Sequence, residues 1–181
     1  MNNNKIMIIG LVGKLQSGKT TSVNFLKEKY PNIIKLSFAD LLKQMILNAG
    51  ICTKEELWEK KTDFSRMMMQ KIGTEIIRKQ VSENFWVDAM IKKISDIQTT
   101  YKNSIIVIDD VRFKNEAALV KFFHGYLIRI DRSKFKQNNE ENKHISEIEQ
   151  DEIVTDYTVL NDKTLEDLKK NIIDIIEMIG I

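Results

Sequence analysis

The segment that decides the fold is KIMIIGLVGKLQSGKT, residues 5–20. Residues 5–11 form a near-continuous apolar run of strand length, which is typical of a buried strand in a parallel sheet. Residues 13–20 match the pattern G-x-x-x-x-G-K-[ST], and a helical pattern follows over residues 19–29. A strand, a glycine-rich loop and a helix in this order predict a phosphate-binding loop.

The residue types of this loop suit the phosphate groups of a nucleotide. Glycines let the N–H groups of residues 15–20 converge on the β-phosphate, aided by the positive end of the following helix. We expect Lys19 to reach the β- and γ-phosphates and the Thr20 hydroxyl to bind Mg²⁺. The residues assigned to the nucleotide are Gly13, Lys14, Gln16, Ser17, Gly18, Lys19, Thr20 and Thr21. The alternative interpretation is an accidental glycine turn.

A second apolar strand pattern, residues 104–109, ends in two carboxylates. Ligands of open α/β sheets bind at the carboxyl ends of the strands. Asp109 is therefore predicted to be the carboxylate that holds Mg²⁺, either directly or through water. Asp110 either pairs with an arginine or caps a turn.

Strand and helix patterns alternate along the rest of the chain. Further strands are predicted at residues 33–37, 125–130 and 157–160, and helices at 115–123 and 163–179. Strands that are apolar throughout indicate a parallel sheet covered on both faces. The sequence predicts an α/β fold with three layers and about five parallel strands, formed by a single domain, 1–181. Within it, residues 38–100 are a helical block and residues 131–150 a polar insertion between two strands.

Composition and charge exclude several classes of protein. With 43% hydrophobic and 30% charged residues in 181, the chain is expected to be globular rather than disordered. A formal charge of +2 is too balanced for nucleic-acid binding to be the default function. The single cysteine, Cys52, excludes a disulfide framework, and His124 and His144 have no metal-ligand spacing. No signal peptide or membrane span is expected, and a cytoplasmic setting fits best.

Arginines stand where an anionic phosphate acceptor would lie, because guanidinium groups suit two-pronged phosphate contacts. They are Arg78, Arg112, Arg129 and Arg132. On the helix predicted over residues 65–81, one polar stripe is expected from side chains that recur every fourth residue, namely Arg66, Gln70, Thr74 and Arg78. Gly73 beside this stripe is expected to make room for a ligand or for a closely packed neighbour. The alternative interpretation of the stripe is a helix face exposed to solvent.

Several short segments share their pattern with a known family. They are Ser37-Phe38-Ala39-Asp40 with Lys43, Gly73-Thr74-Glu75 with Arg78, Phe85-Trp86-Val87, Asp110-Val111-Arg112-Phe113, Arg129-Ile130 with Arg132, His144-Ile145-Ser146-Glu147 and Asn161-Asp162. Together they resemble the deoxynucleoside monophosphate kinases of bacteriophages and related viruses over nearly the whole chain. The Asp-Val-Arg-Phe and His-x-Ser-Glu segments are the more specific ones. Leu41 and Lys114 depart from the family, which often has proline at both positions.

The resemblance implies a nucleoside monophosphate kinase-like P-loop fold, ATP as donor, Mg²⁺, and a 2′-deoxynucleoside 5′-monophosphate as acceptor. It implies that Lys19 acts on the donor phosphates, that Arg78 and Arg112 hold the acceptor phosphate, and that Arg132 contributes from a lid at residues 131–150. Asn161 is assigned to the nucleotide as part of the adenine loop. The other residues assigned to the acceptor are Asp40, Lys43, Gln70, Thr74, Trp86, Asp110 and Glu147. For Trp86, a core anchor is the alternative to stacking on the base.

Two other functions stay open on the sequence alone. Phosphomevalonate kinases share a related arrangement of loop and arginines, so a small metabolite is an alternative acceptor. A nucleotide-binding or switch protein without phosphotransfer is the other. The expected partner is a small-molecule substrate, with no nucleic acid and no membrane; a homodimer stays open, and a viral protein would act in the host cytoplasm.

Overall fold

The structure is a computed structural model that describes residues 6–101, 103–132 and 145–180, without the side chains of Ser146 and Glu147. Its strands are β1 (Met7–Val12), β2 (Ile33–Leu36), β3 (Ile105–Val111), β4 (Tyr126–Asp131) and β5 (Tyr157–Leu160). They form one sheet in the order β2-β3-β1-β4-β5, and every pair of neighbours is parallel. The prediction of a parallel α/β sheet with about five strands is confirmed.

Seven α-helices and two π-helical segments accompany the sheet in the described residues. The α-helices are α1 (Lys19–Lys29), α2 (Ala39–Asn48), α3 (Asp63–Gln70), α4 (Phe85–Thr100), α5 (Lys114–Phe122), α6 (Ile145–Glu152) and α7 (Leu165–Ile179). The π-helical segments are Glu55–Glu59 and Lys71–Val81, and the second continues α3 without a break.

Helices cover both faces of the sheet. On one face, α1 and α7 pack on alternate residues of the strands and form the main core, which includes Val23, Leu26, Leu168, Ile172 and Ile176 together with Ile9, Leu11, Val107, Ile128 and Val159. The opposite face carries α5, whose Val120 side chain lies directly against Gly10 of β1. This arrangement gives the three layers that the sequence predicts.

The chain divides into two compact units. Met1–Leu36 and Ile97–Ile181 form the first, called here the sheet unit, and Ser37–Asp96 form the second, the helical unit. The boundaries of the acceptor-binding block and of the lid stay predictions, and residues 133–144 of the lid lie outside the described residues. Within the described part of the chain, no helix has the length and apolar character that a membrane crossing requires.

The helix predicted over residues 65–81 is present, but its hydrogen bonding changes part-way along. From Lys71 onward the turns are wider, as in the bond from the Ser82 N–H to the Ile77 carbonyl oxygen, 2.9 Å. Gln70 is exposed, whereas Thr74 and Arg78 further along are buried, so the residues of the predicted stripe do not share one environment.

Candidate active site

The predicted phosphate-binding loop follows β1, the central strand of the sheet, and leads directly into α1. Gly13, Gln16 and Gly18 have positive φ angles of 156°, 63° and 109°. A Cβ atom on Gly13 would lie 2.4 Å from the carbonyl oxygen of Ile130, so only glycine fits where the loop passes β4. This backbone gives the loop the open turn that the sequence pattern predicts.

The Lys19 ammonium group lies on the loop itself. It donates hydrogen bonds to the carbonyl oxygens of Gly13 and of Lys14, the latter at 2.9 Å. Thr20 is exposed and Thr21 is half-buried in the first turn of α1. The Lys14 side chain pairs with Asp151 of α6 at 3.2 Å. These positions put the predicted donor-site residues on one short stretch of backbone.

Two buried amide side chains hold the loop at its two ends. The Gln150 Nε2 group of α6 donates to the Gly13 carbonyl oxygen at 3.1 Å. The Asn161 Nδ2 group, just after β5, donates to the Ser17 carbonyl oxygen at 2.8 Å. The Ser17 hydroxyl is buried and has no hydrogen-bond partner among the described residues. Asn161 was predicted to bind the nucleotide, and here its amide supports the loop.

The predicted metal carboxylate lies at the end of β3, next to the loop strand. Gly10 pairs with Ile108 but Val12 pairs with Val111, so β3 carries one extra residue in the stretch that contains both aspartates. Bulges of this kind re-aim side chains next to active sites. Asp109 is 9% exposed, and its Oδ2 atom lies 2.7 Å from the Nζ atom of Lys35 on β2. Asp110 is half-buried.

The three arginines of the sheet unit have different surroundings. Arg112 follows β3, its side chain is half-buried, and its backbone N–H donates to Glu116 Oε2 at 2.7 Å. Arg129 differs from the prediction, because its guanidinium donates to the carbonyl oxygens of Gln150 (3.2 Å) and Ile153 (2.7 Å) and so caps the end of α6. Arg132 is exposed directly after β4.

The sheet unit brings these groups to one edge. The loop, Arg112, Arg132 and Asn161 follow the carboxyl ends of parallel strands, Asp109 lies near the carboxyl end of β3, and these ends meet at the same side of the sheet. Ligands of open α/β folds bind on this side. The structure therefore gathers the sheet-unit residues that the sequence assigned to the donor, the metal and the phosphates.

In the helical unit, two predicted acceptor residues are cationic and buried. Arg78 donates to the backbone oxygen and to Oε1 of Glu83 at 3.3 and 3.4 Å. The Lys43 ammonium lies 3.8 Å from the half-buried Asp40 carboxylate and 5.3 Å from the centre of the Trp58 ring. Both cations thus lie beside a carboxylate of the same unit.

Trp86 and Gly73 lie together in the helical unit. The buried indole of Trp86 donates its N–H to the Gly73 carbonyl oxygen at 3.0 Å and packs edge-on against Phe85. A Cβ atom on Gly73 would lie 2.6 Å from the Cδ2 atom of Leu42, which favours the closely packed neighbour as the reason for this glycine. These contacts favour a core anchor at Trp86. The Glu147 side chain lies outside the described residues, and its assignment stays a prediction.

Sequence reasoning missed the two groups that hold the predicted site from outside its motifs. Gln150 lies in a polar stretch without a strong period, and Lys35 is one lysine among many in the chain. The contact between Lys35 and Asp109 depends on β2 lying beside β3, which no local pattern reveals. No signal in the sequence pointed to either residue.

Comparisons with known proteins agree with this geometry. The family model for deoxynucleotide monophosphate kinase matches residues 50–172. A protein of Acanthamoeba polyphaga mimivirus, named "Putative deoxynucleotide monophosphate kinase", is 30% identical over 191 aligned residues that cover 95% of this chain and 97% of the relative.

Solved structures share the fold at low sequence identity. Dephospho-CoA kinase from Campylobacter jejuni superposes with a TM-score of 0.58 at 13% identity, over 97% of this chain and 98% of its own. Shikimate kinase from Aquifex aeolicus gives a TM-score of 0.52 at 18% identity, over 96% and 99%. The architecture is therefore that of P-loop kinases, and the family match supplies the kind of reaction. On this evidence the chain belongs to the deoxynucleotide monophosphate kinase family and is a phosphotransferase.

Proposed function

We propose that this enzyme transfers the γ-phosphoryl group of ATP to a 2′-deoxynucleoside 5′-monophosphate and releases the diphosphate and ADP. The observation that carries the proposal is the position of the Lys19 loop at the end of the central strand β1, beside the carboxylate at the end of β3. A cationic loop and an acidic group on neighbouring strand ends are what a nucleotide phosphate chain with its metal requires. Membership of the kinase family supports the choice of acceptor.

The chemistry asks little of the protein beyond positioning and charge neutralisation. A phosphate oxygen of the acceptor is already a nucleophile at neutral pH, so no general base is needed. Lys19 would exchange the carbonyl oxygens of Gly13 and Lys14 for oxygens of the donor phosphates. Its charge would then stabilise the negative charge on the transferring group.

The residues present suit a magnesium ion. Mg²⁺ prefers oxygen ligands and commonly uses one or two protein groups together with phosphates and water. The Thr20 hydroxyl and the Asp109 carboxylate are oxygen donors of this kind, and the ion would neutralise charge on the donor phosphates. Because the Lys35 ammonium already lies 2.7 Å from Asp109 Oδ2, we propose that Asp109 holds the ion through water.

The acceptor phosphate would be held by arginines. We assign Arg112 and Arg78 to it and Arg132 to the transferring group, on the sequence resemblance. A planar guanidinium binds phosphate through two parallel hydrogen bonds, which a lysine cannot reproduce. Asp40, Lys43, Gln70, Thr74, Trp86, Asp110 and Glu147 stay predicted acceptor contacts under the same proposal.

A panel of acceptors tests the proposal directly. Each deoxynucleoside 5′-monophosphate, its ribose counterpart and phosphomevalonate would be incubated with enzyme, ATP and Mg²⁺, and ADP release measured. We expect release with at least one deoxynucleotide, none without acceptor, and loss of about a hundredfold or more for Lys19→Ala. Turnover of phosphomevalonate alone would identify a small-metabolite kinase. Hydrolysis that no acceptor stimulates would identify a nucleotide-dependent switch.

The arginine assignment has its own variant within this panel. Arg112→Lys keeps the charge but removes the two-pronged donor, so its kcat/KM should fall with every accepted base by a similar factor. Lys114→Arg, an exposed neighbour at the start of α5, is the matched control and should leave the rates unchanged. A loss confined to one base would contradict a phosphate role for Arg112.

A further inference from the structure

The Gly13 carbonyl oxygen accepts hydrogen bonds from two side chains of the sheet unit. One donor is the Lys19 ammonium group, and the other is the Nε2 group of Gln150 at 3.1 Å. Gly13 is buried, so its carbonyl oxygen has to be satisfied by the protein rather than by bulk solvent. The two donors differ because, under the proposed function, Lys19 leaves this carbonyl oxygen for the nucleotide phosphates, whereas Gln150 stays in place.

Gln150 is held where it can keep this contact. It is 2% exposed, and the same Nε2 group also donates to the Val111 carbonyl oxygen at 3.1 Å. The turn of α6 that carries Gln150 is capped by the Arg129 guanidinium at the carbonyl oxygens of Gln150 and Ile153. The pair between Glu152 of the same turn and Lys114 of α5, at 2.6 Å, is exposed to solvent and adds little to this support. Gln150 therefore links the loop to the end of β3 from a fixed position.

Release of Lys19 changes the hydrogen bonding of the loop. When the lysine turns to the donor phosphates, the Gly13 carbonyl oxygen loses one of the two donors that the described residues give it. A buried acceptor without a partner is strongly unfavourable, so the release would be opposed if Gln150 were absent. With Gln150 in place the carbonyl oxygen stays bonded.

We propose that Gln150 is a positioning residue for the donor site, which keeps the Gly13 carbonyl bonded while Lys19 moves from that carbonyl to the nucleotide phosphates. The inference rests on the proposed function only for the movement of Lys19. It predicts an energetic coupling between Gln150 and Lys19 in nucleotide binding. If Gln150 only stabilised the fold, its replacement would weaken binding by the same factor whatever residue stands at position 19.

A double-mutant cycle measures this coupling. Binding of adenylyl imidodiphosphate with Mg²⁺ would be followed by calorimetry for the wild type, Gln150→Leu, Lys19→Ala and the double variant. We expect Gln150→Leu to weaken binding roughly tenfold in the wild type and less than about twofold in the Lys19→Ala background. Glu152→Gln, on the same turn as Gln150, removes only the charge of the exposed pair with Lys114 and should leave binding unchanged. An equal effect in both backgrounds, or no effect in either, would overturn the inference.

A second variant covers the case in which Gln150→Leu fails to fold. Gln150→Glu keeps the shape, and its carboxyl group can donate to the Gly13 carbonyl only when protonated. Because its single O–H can replace only one of the two hydrogen bonds of Nε2, binding relative to the wild type should be partly restored at low pH and should weaken as the carboxyl ionises. If the ratio of the dissociation constants of the variant and the wild type does not depend on pH, the result would count against the inference. These binding assays need no acceptor. If the enzyme phosphorylated no deoxynucleotide, the proposed function would be overturned, but the coupling between Gln150 and Lys19 could still be measured.

Discussion

Single residues of the loop tolerate backbone angles that most side chains avoid. Gln16 has a φ angle of 63°, a left-handed conformation that costs a non-glycine residue about 1 kcal/mol. The loop is held in that shape by hydrogen bonds to its carbonyl oxygens from Gln150 and Asn161. Strain that the surrounding structure holds in place is typical of ligand-binding loops. The shape of the loop is thus supported by contacts within the protein.

Gly13→Ala tests how tightly this shape is fixed. The new Cβ atom would lie 2.4 Å from the Ile130 carbonyl oxygen and 2.7 Å from Ser17 Oγ, and the first of these is backbone that cannot turn aside. We expect the free energy of unfolding in urea to fall by about 2–4 kcal/mol. Gly50→Ala is the control, because Gly50 has a φ angle of 69° but no atom within 4 Å of a new Cβ. It should lose only about 1 kcal/mol, and equal losses would contradict a steric role for Gly13.

The predictability of the site depends on how local each signal is. The loop from Gly13 to Thr20 could be predicted because a loop of this kind requires glycine, lysine and threonine at set spacings. The position of Asp109 near the end of β3 could be predicted from the apolar run before it, and its role at a metal stays a prediction. Gln150 could not, since its two contacts join segments 137 and 39 residues away in the sequence. Hydrogen bonds over such separations leave no period or spacing to recognise.

At the scale of elements, the positions of the strands could be predicted from their apolar composition, whereas the type of helix within the helical unit could not. All five predicted strands are present with their ends within two residues of the prediction, because buried parallel strands are apolar throughout. A helix was predicted over residues 65–81, but the wider turns of Lys71–Val81 were not, because hydrophobic periodicity assumes α-helical turns. In this segment Arg78 is buried and Ile76 is 46% accessible, the reverse of what residue polarity alone predicts.

Trp86→Phe tests the contact that joins α4 to this π-helical segment. Phenylalanine keeps an aromatic ring against Phe85 but removes the N–H that donates to the Gly73 carbonyl oxygen. We expect a loss of about 1–2 kcal/mol in the free energy of unfolding, with the order of preference among accepted bases unchanged. Trp58→Phe, at an indole that is 37% exposed in the same unit, should change stability by less than about 0.5 kcal/mol. A changed order of base preference with unaltered stability would favour stacking of Trp86 on the base.

At the scale of the whole molecule, both units carry carboxylates that hydrogen bonds hold in the ionised form. In the helical unit, the backbone N–H and the hydroxyl of Thr53 lower the pKa of Glu56. In the sheet unit, the hydroxyl and backbone N–H of Thr164 lower the pKa of Asp167 at the start of α7. A carboxyl whose pKa is lower in the folded state stabilises the fold above its unfolded pKa and loses that effect as the pH falls through the folded value. Acid should therefore destabilise each unit.

Asp156 gives this acid sensitivity a single-residue test. Burial raises the pKa of its carboxyl, but the Leu127 N–H and the Lys121 ammonium outweigh burial and leave the pKa below its ordinary value. Asp156→Asn keeps an acceptor for Leu127 and loses the ion pair. At pH 7 the variant should be less stable in urea by about 1 kcal/mol, since solvent screens a partly exposed pair. The difference should begin to shrink below about pH 4, the ordinary pKa of an unfolded aspartate, and should be lost as the pH falls through the lower pKa of the folded state. Asp174→Asn makes the same charge change at an exposed position on α7 and should show a much smaller difference at either pH. A deficit for Asp156→Asn that stays constant down to pH 3 would mean that packing, not charge, holds this corner of the sheet unit.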